Sequence, residues 1–317
     1  MNISTRDSCD AFQLSSSHVP VPAITWPYIA AELLIALLAI AGNFLVCLAV
    51  NRNRKLRTVT NYFLVSLAVA DIFVGVLAIP CAVLTDLGYP RHNLPLCLLL
   101  LSVLIVLTQS SILSLLAVAA ERYVAILLPL QYQRIVSPRN ARLALVLTWC
   151  LALLSGSIPL MGWHGSLPPS GACLFPCVVD LSYMVYFNFL GCVLVPLVVM
   201  FIIYGHIFLT VRQQLRRIAA RCGSGGSEYK RAARMRREVR KATSLFLVLF
   251  MFILCWLPLH ILNCVTLMCP RCHVPLPLSL AAILLSHANS ALNPLLYAYR
   301  MRSFRHTLRA LCCTHTA

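Results

Sequence analysis

Asn263 is the side chain of this sequence that most clearly points to ligand binding, because it ends an otherwise apolar run at 255–263. On a helix it shares a face with Trp256, Leu259 and His260, in the i, i+3, i+4, i+7 pattern. A primary amide donates and accepts hydrogen bonds at once, so it can pair with the edge of a heterocyclic base. The pattern predicts a pocket for a flat polar ligand, with an aromatic floor and an aliphatic wall.

Asp71 is the only carboxylate deep in the second apolar segment of the chain. A charged side chain in lipid costs about 2.5–3.5 kcal/mol even on modest scales, so such a residue is functional by default. Oxygen-bearing side chains of other segments are expected at similar depth: Asn43, Ser111, Asn289 and Asn293. Oxygen ligands suit a small hard cation, and we expect Na⁺. The alternative is a protonated Asp71 within a hydrogen-bond network.

The run Glu121-Arg122-Tyr123 suggests a switch at one membrane face. Cys97 and Arg122 are 122 − 97 = 25 residues apart, about 37 Å along a helix, so they mark opposite ends of one span. Glu238 begins the sixth span at the same end and can offer an opposite charge. Such a pair would hold this face closed, and its opening would expose Arg122 to a partner. The alternative is an arginine that only anchors its helix at the interface.

The composition places these residues on segments that cross a membrane. Of the 317 residues, 60% are hydrophobic and 11% charged, which is too apolar for a water-soluble chain. Seven apolar blocks are each near or above the ~20 residues that span a bilayer as helix, and lipid requires helical pairing of the backbone. We predict an all-α membrane protein, a bundle of seven transmembrane helices. The blocks lie at 27–51, 61–85, 94–120, 141–162, 182–209, 243–268 and 277–299.

The distribution of Lys and Arg predicts the orientation. Of the 26, only Arg6, Arg91 and Arg271 fall in the amino-terminal tail or the even-numbered connections, which leaves 26 − 3 = 23 on the other side. Basic loops stay in the cytoplasm, so we expect a multi-pass plasma-membrane protein with its amino terminus outside. The net charge of +17 follows from this rule and from the anionic inner leaflet, and no nucleic-acid partner is expected.

The expected organisation has three parts: an extracellular tail at 1–26, the seven-helix domain at 27–300, and a carboxy-terminal stretch at 301–317. The third cytoplasmic loop, at about 210–242, carries basic residues around a flexible Gly/Ser centre at 223–227 and suits an acidic partner.

Cysteines on the expected outer side can form disulfides. Cys97 opens the third span and Cys173 lies in the second outer loop, so a bond between them would hold that loop over the bundle. Cys269 and Cys272 form a C-x-x-C that we interpret as a local loop staple rather than a metal or redox site. The candidates for a third bond are Cys9 and Cys177, and the sequence leaves this pair open.

Both termini carry candidate modification sites. Asn2 begins an N-x-S sequon on the expected outer side, close to the terminus. The basic amphipathic stretch at 300–309 predicts a short eighth helix on the inner leaflet, and Cys312 and Cys313, which follow it, are candidates for palmitoylation.

Taken in order along the chain, these landmarks resemble rhodopsin-like G-protein-coupled receptors. The resemblance implies a receptor for a heterotrimeric G protein, with arrestin and receptor kinases as further partners. It also implies that Tyr204 and Tyr297 support the open state. Glu121 stands where the family more often has Asp, a change that keeps the carboxylate. The motifs are Gly42-Asn43, Leu67 to Asp71, Glu121-Arg122-Tyr123, Trp149, Pro196, Cys255-Trp256-Leu257-Pro258 and Asn293-Pro294-Leu295-Leu296-Tyr297.

Four longer stretches are similar to the adenosine receptors within that class. They lie at 107–111, 183–189, 257–264 and 285–290. Amine receptors are expected to show an Asp where this chain has the apolar Leu104, which speaks against a cationic ligand. The resemblance implies extracellular adenosine as the ligand, and a receptor for another purine or nucleoside is the alternative.

Carried over by position, the resemblance implies that Asn263 holds the adenine edge while Phe175 of the outer loop stacks on the ring. Thr108, Ser286 and His287 would take the ribose hydroxyls. The remaining residues assigned to the site are Leu259, Met184 and Ile283 around the base, Leu104 and Trp256 at greater depth, His260 near the ribose, and Asn188. Glu32 in the first span is expected to accept a hydrogen bond from His287 and so to fix its ring.

One position departs from the family. Many adenosine receptors have a carboxylate directly after Cys173-Leu174-Phe175, and this chain has Pro176. We therefore expect Asn263 to hold the exocyclic amine alone or through water, with reduced adenosine affinity.

Less specific features of the sequence bear on the G protein that couples to this chain and on other classes of membrane protein. The 188–196 segment and the Cys269-to-Cys272 staple favour a stimulatory G protein, Gs, that acts on adenylate cyclase, with Gi as the alternative. A transporter often shows an internal repeat, and none is seen between the two halves of the sequence. An enzyme would need a nucleophile and base pair or a metal-binding run such as His-Glu-x-x-His, and neither is seen. We expect no cofactor apart from allosteric Na⁺.

Overall fold

Seven long helices make up the described part of the chain. The computed structural model describes residues 21–220, 226–269, 271–272, 274–300 and 304–308, with side chains except those at 21–25, 218–220, 226–232, 234, 237–238 and 240–241. Described residues form no strand, and the one β-bridge joins His164 to Val179. The helices are α1 Val21–Arg52, α2 Val59–Asp86, α3 Leu94–Leu127, α4 Pro138–Gly156, α5 Tyr183–Leu194 continued as Val195–Ala220, α6 Gly226–Met268 and α7 Leu276–Arg300.

Polar caps fix where three of these helices begin. The side chains of Thr58, Asn93 and Ser137 accept hydrogen bonds from backbone N–H groups in the first turns of α2, α3 and α4. Each cap satisfies one of the donors that a helix start leaves without an internal partner. Pro95 and Pro138 occupy the first turns of α3 and α4, where a missing N–H costs nothing.

The outside of the bundle is apolar and the inside holds the polar groups. Side chains such as Leu37, Leu147 and Ile202 are more than half exposed, whereas Asp71, Asn43 and other polar residues are buried. This inverts the usual pattern of a water-soluble protein and suits a hydrocarbon solvent. Five helices are long and apolar enough to cross a membrane by length and composition: α1 from Trp26, α2, α3, α5 to Arg217, and α6 from Ala242.

The other two helices, α4 and α7, are more polar for different reasons. Helix α4 begins with Arg139, Asn140 and Arg142, which are exposed at one end of the bundle. Helix α7 places polar side chains such as His287 and Asn293 inside the bundle, where other helices shield them. Its hydropathy is lower because it lines the interior and not because it lies outside the membrane.

Helix α3 runs through the centre of the bundle, in contact with α2, α4, α5 and α6, while α7 closes the ring between α6 and α1. Close helix approach needs glycine at Gly75 of α2, since a Cβ there would lie 2.8 Å from the Ala36 carbonyl oxygen and from Ile40 of α1. Gly75 lies in a π-helical segment, Val74–Ala78, one turn after Asp71. Such segments are frequent at functional sites because they change the direction of the side chains that follow.

The two ends of the bundle are distinguished by the residues of α3 that lie there. The disulfide end carries Cys97 at the start of α3, and the arginine end carries Arg122 near the close of the same helix. A short helix at 304–308 lies at the arginine end. Phe304 is fully buried against Tyr297, and Asn53 Nδ2 donates to Thr307 Oγ1 at 2.8 Å, so this helix is fixed to the bundle.

Candidate functional site

A column of aromatic rings runs along α6 and includes Trp256, the residue that the sequence assigned to the floor of the pocket. Trp256 lies between Phe252 and His260, with ring centroids 6.0 and 6.2 Å away. His260 is 3% exposed and stacks at 4.6 Å on Phe189 of α5, a residue that sequence reasoning missed. Among the described residues, neither ring nitrogen of His260 has a hydrogen-bond partner, and Trp256 Nε1 has none either. These polar atoms lie buried beneath the position of Asn263 on the same helix.

Asn263 lies one turn nearer the disulfide end and is half-buried. Its amide has no hydrogen-bond partner among the described residues, so its donor and acceptor groups are available to a ligand. Leu259 on α6 and Ile283 on α7 are half-buried as well, in agreement with a partly open apolar wall.

The loop between α4 and α5 folds over the disulfide end. Cys97 and Cys173 are joined by a disulfide with their Cα atoms 5.7 Å apart. Phe175 and Met184 pack into the same apolar cluster as this bond. The disulfide therefore brings together two residues that sequence reasoning assigned to the base, one from the loop and one from α5.

Glu32 and His287 form a buried pair between α1 and α7. The Nδ1 atom of His287 lies 2.8 and 2.9 Å from the two carboxylate oxygens of Glu32, and these residues are 2% and 0% exposed. An ionised carboxylate only accepts, so Nδ1 carries the hydrogen and Nε2 faces away from Glu32. Ser286, the neighbour of His287, donates to the Ile283 carbonyl at 2.7 Å and keeps its oxygen lone pairs.

A second polar contact lies near this pair at the disulfide end. The Tyr28 hydroxyl of α1 donates to Asp86 Oδ2 of α2 at 2.8 Å. Sequence reasoning missed both residues, since an Asp at the end of a span looks like an ordinary surface residue. The contact ties the ends of α1 and α2 together one helical turn above Glu32.

Helix α3 presents a short polar stretch to the interior. Thr108 Oγ1 donates to the Leu104 carbonyl at 2.9 Å, and both residues lie where the sequence placed the ligand. Gln109, which sequence reasoning did not single out, is 1% exposed, and its Nε2 has no hydrogen-bond partner in the part of the chain that the structure describes. Asn188 of α5 is buried at 4% exposure.

Asp71 lies at the centre of a buried cluster of amides. Asn293 Nδ2 donates to Asp71 Oδ2 at 2.8 Å, and Asn43 Nδ2 donates to the carbonyls of Ala39 and Ser290 at 2.9 and 2.8 Å. Ser111 Oγ donates to a backbone carbonyl of its own helix at 3.1 Å. The atoms left without a partner are all oxygens: Asp71 Oδ1, Asn43 Oδ1, Asn289 Oδ1 and Asn293 Oδ1.

Buried oxygens without donors are costly unless something else satisfies them. The residues of this cluster fit Na⁺, because a hard cation takes several neutral or anionic oxygens. In the described part of the chain no group of three or more His, Cys, Asp or Glu side chains could hold a metal ion. A site for Na⁺ would therefore depend on one carboxylate together with amide and hydroxyl oxygens.

Arg122 at the other end is bound by its own neighbour. Its guanidinium donates to both oxygens of Glu121 at 2.7 Å and to Thr60 Oγ1 at 2.6 Å. Tyr132, in a short helix after α3, also donates to Glu121 at 2.7 Å. Thr60 and Tyr132 were not anticipated, because neither stands in a recognisable pattern. The predicted partner Glu238 has its side chain outside the described residues.

The two tyrosines assigned to the open state are buried at the arginine end. Tyr204 of α5 is 2% exposed and meets the Phe246 ring of α6 edge to face at 5.6 Å. Tyr297 of α7 has a buried hydroxyl without a partner among the described residues. Tyr123 stacks obliquely on His206 of α5 at 5.6 Å.

The remaining assigned residues concern disulfides and modification. Cys269 and Cys272 are joined by a disulfide with Cα atoms 5.3 Å apart. Cys177 is disulfide-bonded as well, and its candidate partner Cys9 lies outside the described residues. The modification candidates Asn2, Cys312 and Cys313 also lie outside them.

Seven helices with an apolar exterior and buried polar clusters at two depths define a polytopic membrane receptor rather than a soluble protein. The sequence matches the 7 transmembrane receptor (rhodopsin family) over residues 42–297, and the chain belongs to that family of G-protein-coupled receptors. Its members are receptors and not enzymes, as the sequence predicted.

Within that family the chain is similar to adenosine receptors. It is 47% identical over 307 residues to adenosine receptor A2a of Canis lupus familiaris, a match that covers 92% of this chain and 73% of the relative. The A2a receptor of Homo sapiens is 47% identical over 304 residues, covering 91% and 72%. The A2b receptor of Gallus gallus is 46% identical over 305 residues, covering 90% and 87%. The predicted resemblance is thereby confirmed.

Proposed function

We propose that this receptor binds extracellular adenosine in the pocket bounded by α3, α5, α6, α7 and the disulfide-held loop. The buried Glu32–His287 pair supports this proposal most strongly, because an imidazole that Glu32 holds in place beside Ser286 offers polar groups to a ribose in an otherwise apolar setting. The relatives named adenosine receptors support the same ligand. The amino terminus and the disulfide end would face the outside, since 23 of the 26 basic residues belong to the opposite side.

The base would lie between the loop and α6. Asn263 offers a donor and an acceptor to the adenine edge, and Phe175 offers a ring face from the loop. Leu259, Met184 and Ile283 would exclude water from the rest of the base. His260 and Gln109 supply polar atoms at greater depth, where the ribose is expected.

Signalling is the readout that tests this function. Cells that express the chain should raise cyclic AMP when adenosine is added, and adenosine deaminase should abolish the response. An equal or stronger response to inosine would favour the alternative, a receptor for another purine or nucleoside. Absence of any nucleoside response in cells with confirmed surface receptor would overturn the proposal.

We infer Gs as the partner at the arginine end, with Gi as the alternative. A fall in forskolin-raised cyclic AMP on addition of adenosine, instead of a rise, would replace Gs by Gi. The response in either direction should depend on Arg122, and arrestin and receptor kinases would follow from activation as further partners.

The proposed transition uses α6 as a lever. A ligand that contacts Asn263 on α6 and His287 on α7 can shift the equilibrium between two arrangements of the bundle. The size of the shift is set by how much more tightly the ligand binds one arrangement than the other. Pro258 lies inside α6 and permits a bend between the pocket and the arginine end. Outward motion of that end would separate α6, and with it Glu238, from Arg122 and open a cleft for the Gα carboxy-terminal helix. Arg122 would still be held by Glu121 of its own helix and Thr60 of α2 until the partner engages it.

Replacing Pro176 by Glu is expected to strengthen adenosine binding. The carboxylate would stand next to Phe175 and accept a hydrogen bond from the exocyclic amine, a contact worth about tenfold in affinity. Radioligand competition on Pro176→Glu membranes measures the change. Pro176→Gln, which is uncharged but can still accept, serves as the control and should gain less. Unchanged affinity in both variants would mean that residue 176 does not face the base.

Asp71→Asn is expected to remove the effect of Na⁺ on agonist binding. In the native chain Na⁺ would be held by Asp71 with Ser111, Asn289 and Asn293, and it would supply positive charge that favours the inactive arrangement. Agonist affinity of the native chain should fall as NaCl replaces choline chloride, and that of Asp71→Asn should not. Ser102→Ala, another buried polar residue but nearer the disulfide end, is the matched control. A sodium effect that survives Asp71→Asn would contradict the proposed site.

A further inference from the structure

A groove between the arginine-end halves of α5 and α6 combines an apolar floor with a basic rim. Its lining consists of Phe208, Val211, Leu215 and Val239, together with Arg212 and Arg216. Val211 is buried, whereas both arginines are exposed. Neither guanidinium has an ion pair or hydrogen bond among the described residues. The groove therefore presents two exposed positive charges beside an apolar surface.

The rim of the groove continues the lipid-facing stripe of α5. Ile202 and Leu209 are 66% and 62% exposed. Arg216 follows them at a spacing of seven and fourteen residues, and Arg212 at three residues after Leu209, so all four share one helix face. A groove on that face opens toward lipid and away from the interior of the bundle.

The depth of the arginines matches the headgroup region. Arg212 lies 212 − 183 = 29 residues after Tyr183, the first residue of α5, about 43 Å along the helix. A bilayer with its headgroups is about 40–45 Å thick. Arginines at this depth reach phosphates while their side-chain stems stay against apolar surface.

Carboxylates are far outnumbered at the arginine end, where the sequence has Glu121, Glu228 and Glu238 against 23 basic residues, and the side chains of Glu228 and Glu238 lie outside the described residues. Among the described side chains at the arginine end the one carboxylate is Glu121, which is occupied by Arg122, Thr60 and Tyr132. The cytoplasmic leaflet, by contrast, is rich in anionic lipid. We propose that the groove binds an anionic phospholipid, with its headgroup phosphate between Arg212 and Arg216 and its acyl chain along Phe208 and Leu215.

This proposal is independent of the nucleoside ligand and is tested on the full chain in vesicles. The vesicles consist of phosphatidylcholine with a minor fraction of phosphatidylserine that carries a photoreactive group on its acyl chain. Cross-linked peptides mapped by mass spectrometry should include 208–216 and the segment around Val239. The same photoreactive group on phosphatidylcholine should label these peptides several-fold less, since each basic side chain near an anionic surface contributes about fivefold.

Two variants with equal charge loss separate a built groove from general attraction. Arg212→Gln with Arg216→Gln should reduce phosphatidylserine labelling at the groove about 30-fold. Arg139→Gln with Arg142→Gln, on exposed residues of α4 at the same end, should leave it unchanged. Equal loss in both variants would overturn the proposal in favour of diffuse surface charge.

A third variant tests the apolar floor. Leu215→Ser keeps both arginines and should lower labelling several-fold. Unchanged labelling in Leu215→Ser would also overturn the proposal, because the acyl chain would then not lie in the groove. If the groove instead accepts the Gα helix, the Arg212/Arg216 variant loses G-protein activation with phosphatidylserine labelling intact. Displacement of the labelled lipid by soluble glycerophosphoserine would mean that the headgroup binds without help from the acyl chain.

Discussion

Asn263→Ala should raise the dissociation constant for adenosine at least about 100-fold, which amounts to loss of measurable binding. The variant removes one hydrogen-bond donor and one acceptor. On binding, the base edge would still give up its water but would no longer gain hydrogen bonds from residue 263 in return. Pro176 occupies the position after Phe175, where a carboxylate could otherwise compensate. Saturation binding of a radiolabelled adenosine ligand measures the effect.

The matched control is Ile261→Ala on the same helix. Ile261 is 49% exposed on the lipid face, so its truncation tests general damage to α6 without touching the pocket. Surface expression should be native in both variants, and adenosine affinity with its sodium sensitivity should be native in Ile261→Ala. Native adenosine affinity in Asn263→Ala would remove the adenosine proposal, because Asn263 is the residue assigned to the adenine edge.

The fold could be predicted from the sequence because a lipid bilayer permits few kinds of structure to cross it. Apolar blocks of sufficient length must be helices, and family membership now confirms seven of them. The positions of helix ends were less accessible. Helix α6 begins at Gly226 rather than near 243, because helix continues beyond the apolar part of the sequence. The helix starts that the sequence could have located are those with a capping residue, such as Thr58 before α2 and Ser137 before α4.

Parts of the candidate site could be predicted where a polar residue stands alone in an apolar segment. Asp71 drew attention for that reason. Glu32 and His287 were assigned through the resemblance to adenosine receptors, and the structure pairs them at 2.8 Å. Tyr132 and Thr60 escaped attention because loop tyrosines and interfacial threonines are ordinary in sequence. Their role arises from the turn after α3, which brings the Tyr132 hydroxyl onto Glu121.

The two polar clusters suggest how a ligand signal crosses the bundle. The Glu32–His287 pair and the Asp71–Asn293 hydrogen bond both join α7 to another helix, at successive depths. Tyr297, one turn further along α7, packs on Phe304 of the short helix at the arginine end. A change in α7 at the proposed ribose site would therefore be transmitted along one helix toward the arginine end.

Glu32→Ala is expected to have the second large effect, on stability and on ribose recognition together. His287 is 2% exposed, and without Glu32 its Nδ1–H has no partner. Removing one member of a buried pair costs about 3–5 kcal/mol when both are charged, and about 1–3 kcal/mol when the lost contact is a neutral hydrogen bond. The thermal midpoint of the purified ligand-free receptor should fall by several degrees. Adenosine affinity should fall about 10- to 100-fold as the imidazole loses its orientation.

The pattern across ligands and variants distinguishes a positioning role from simple damage. Glu32→Gln keeps an acceptor for Nδ1–H, so it should recover part of both stability and affinity, whereas Leu33→Ala on the exposed face of α1 should match the native chain. Adenine lacks the ribose, so its weak binding should survive Glu32→Ala but not Asn263→Ala. If Glu32→Ala weakens adenine as much as adenosine, His287 does not contact the ribose and the pair acts only to hold α1 against α7.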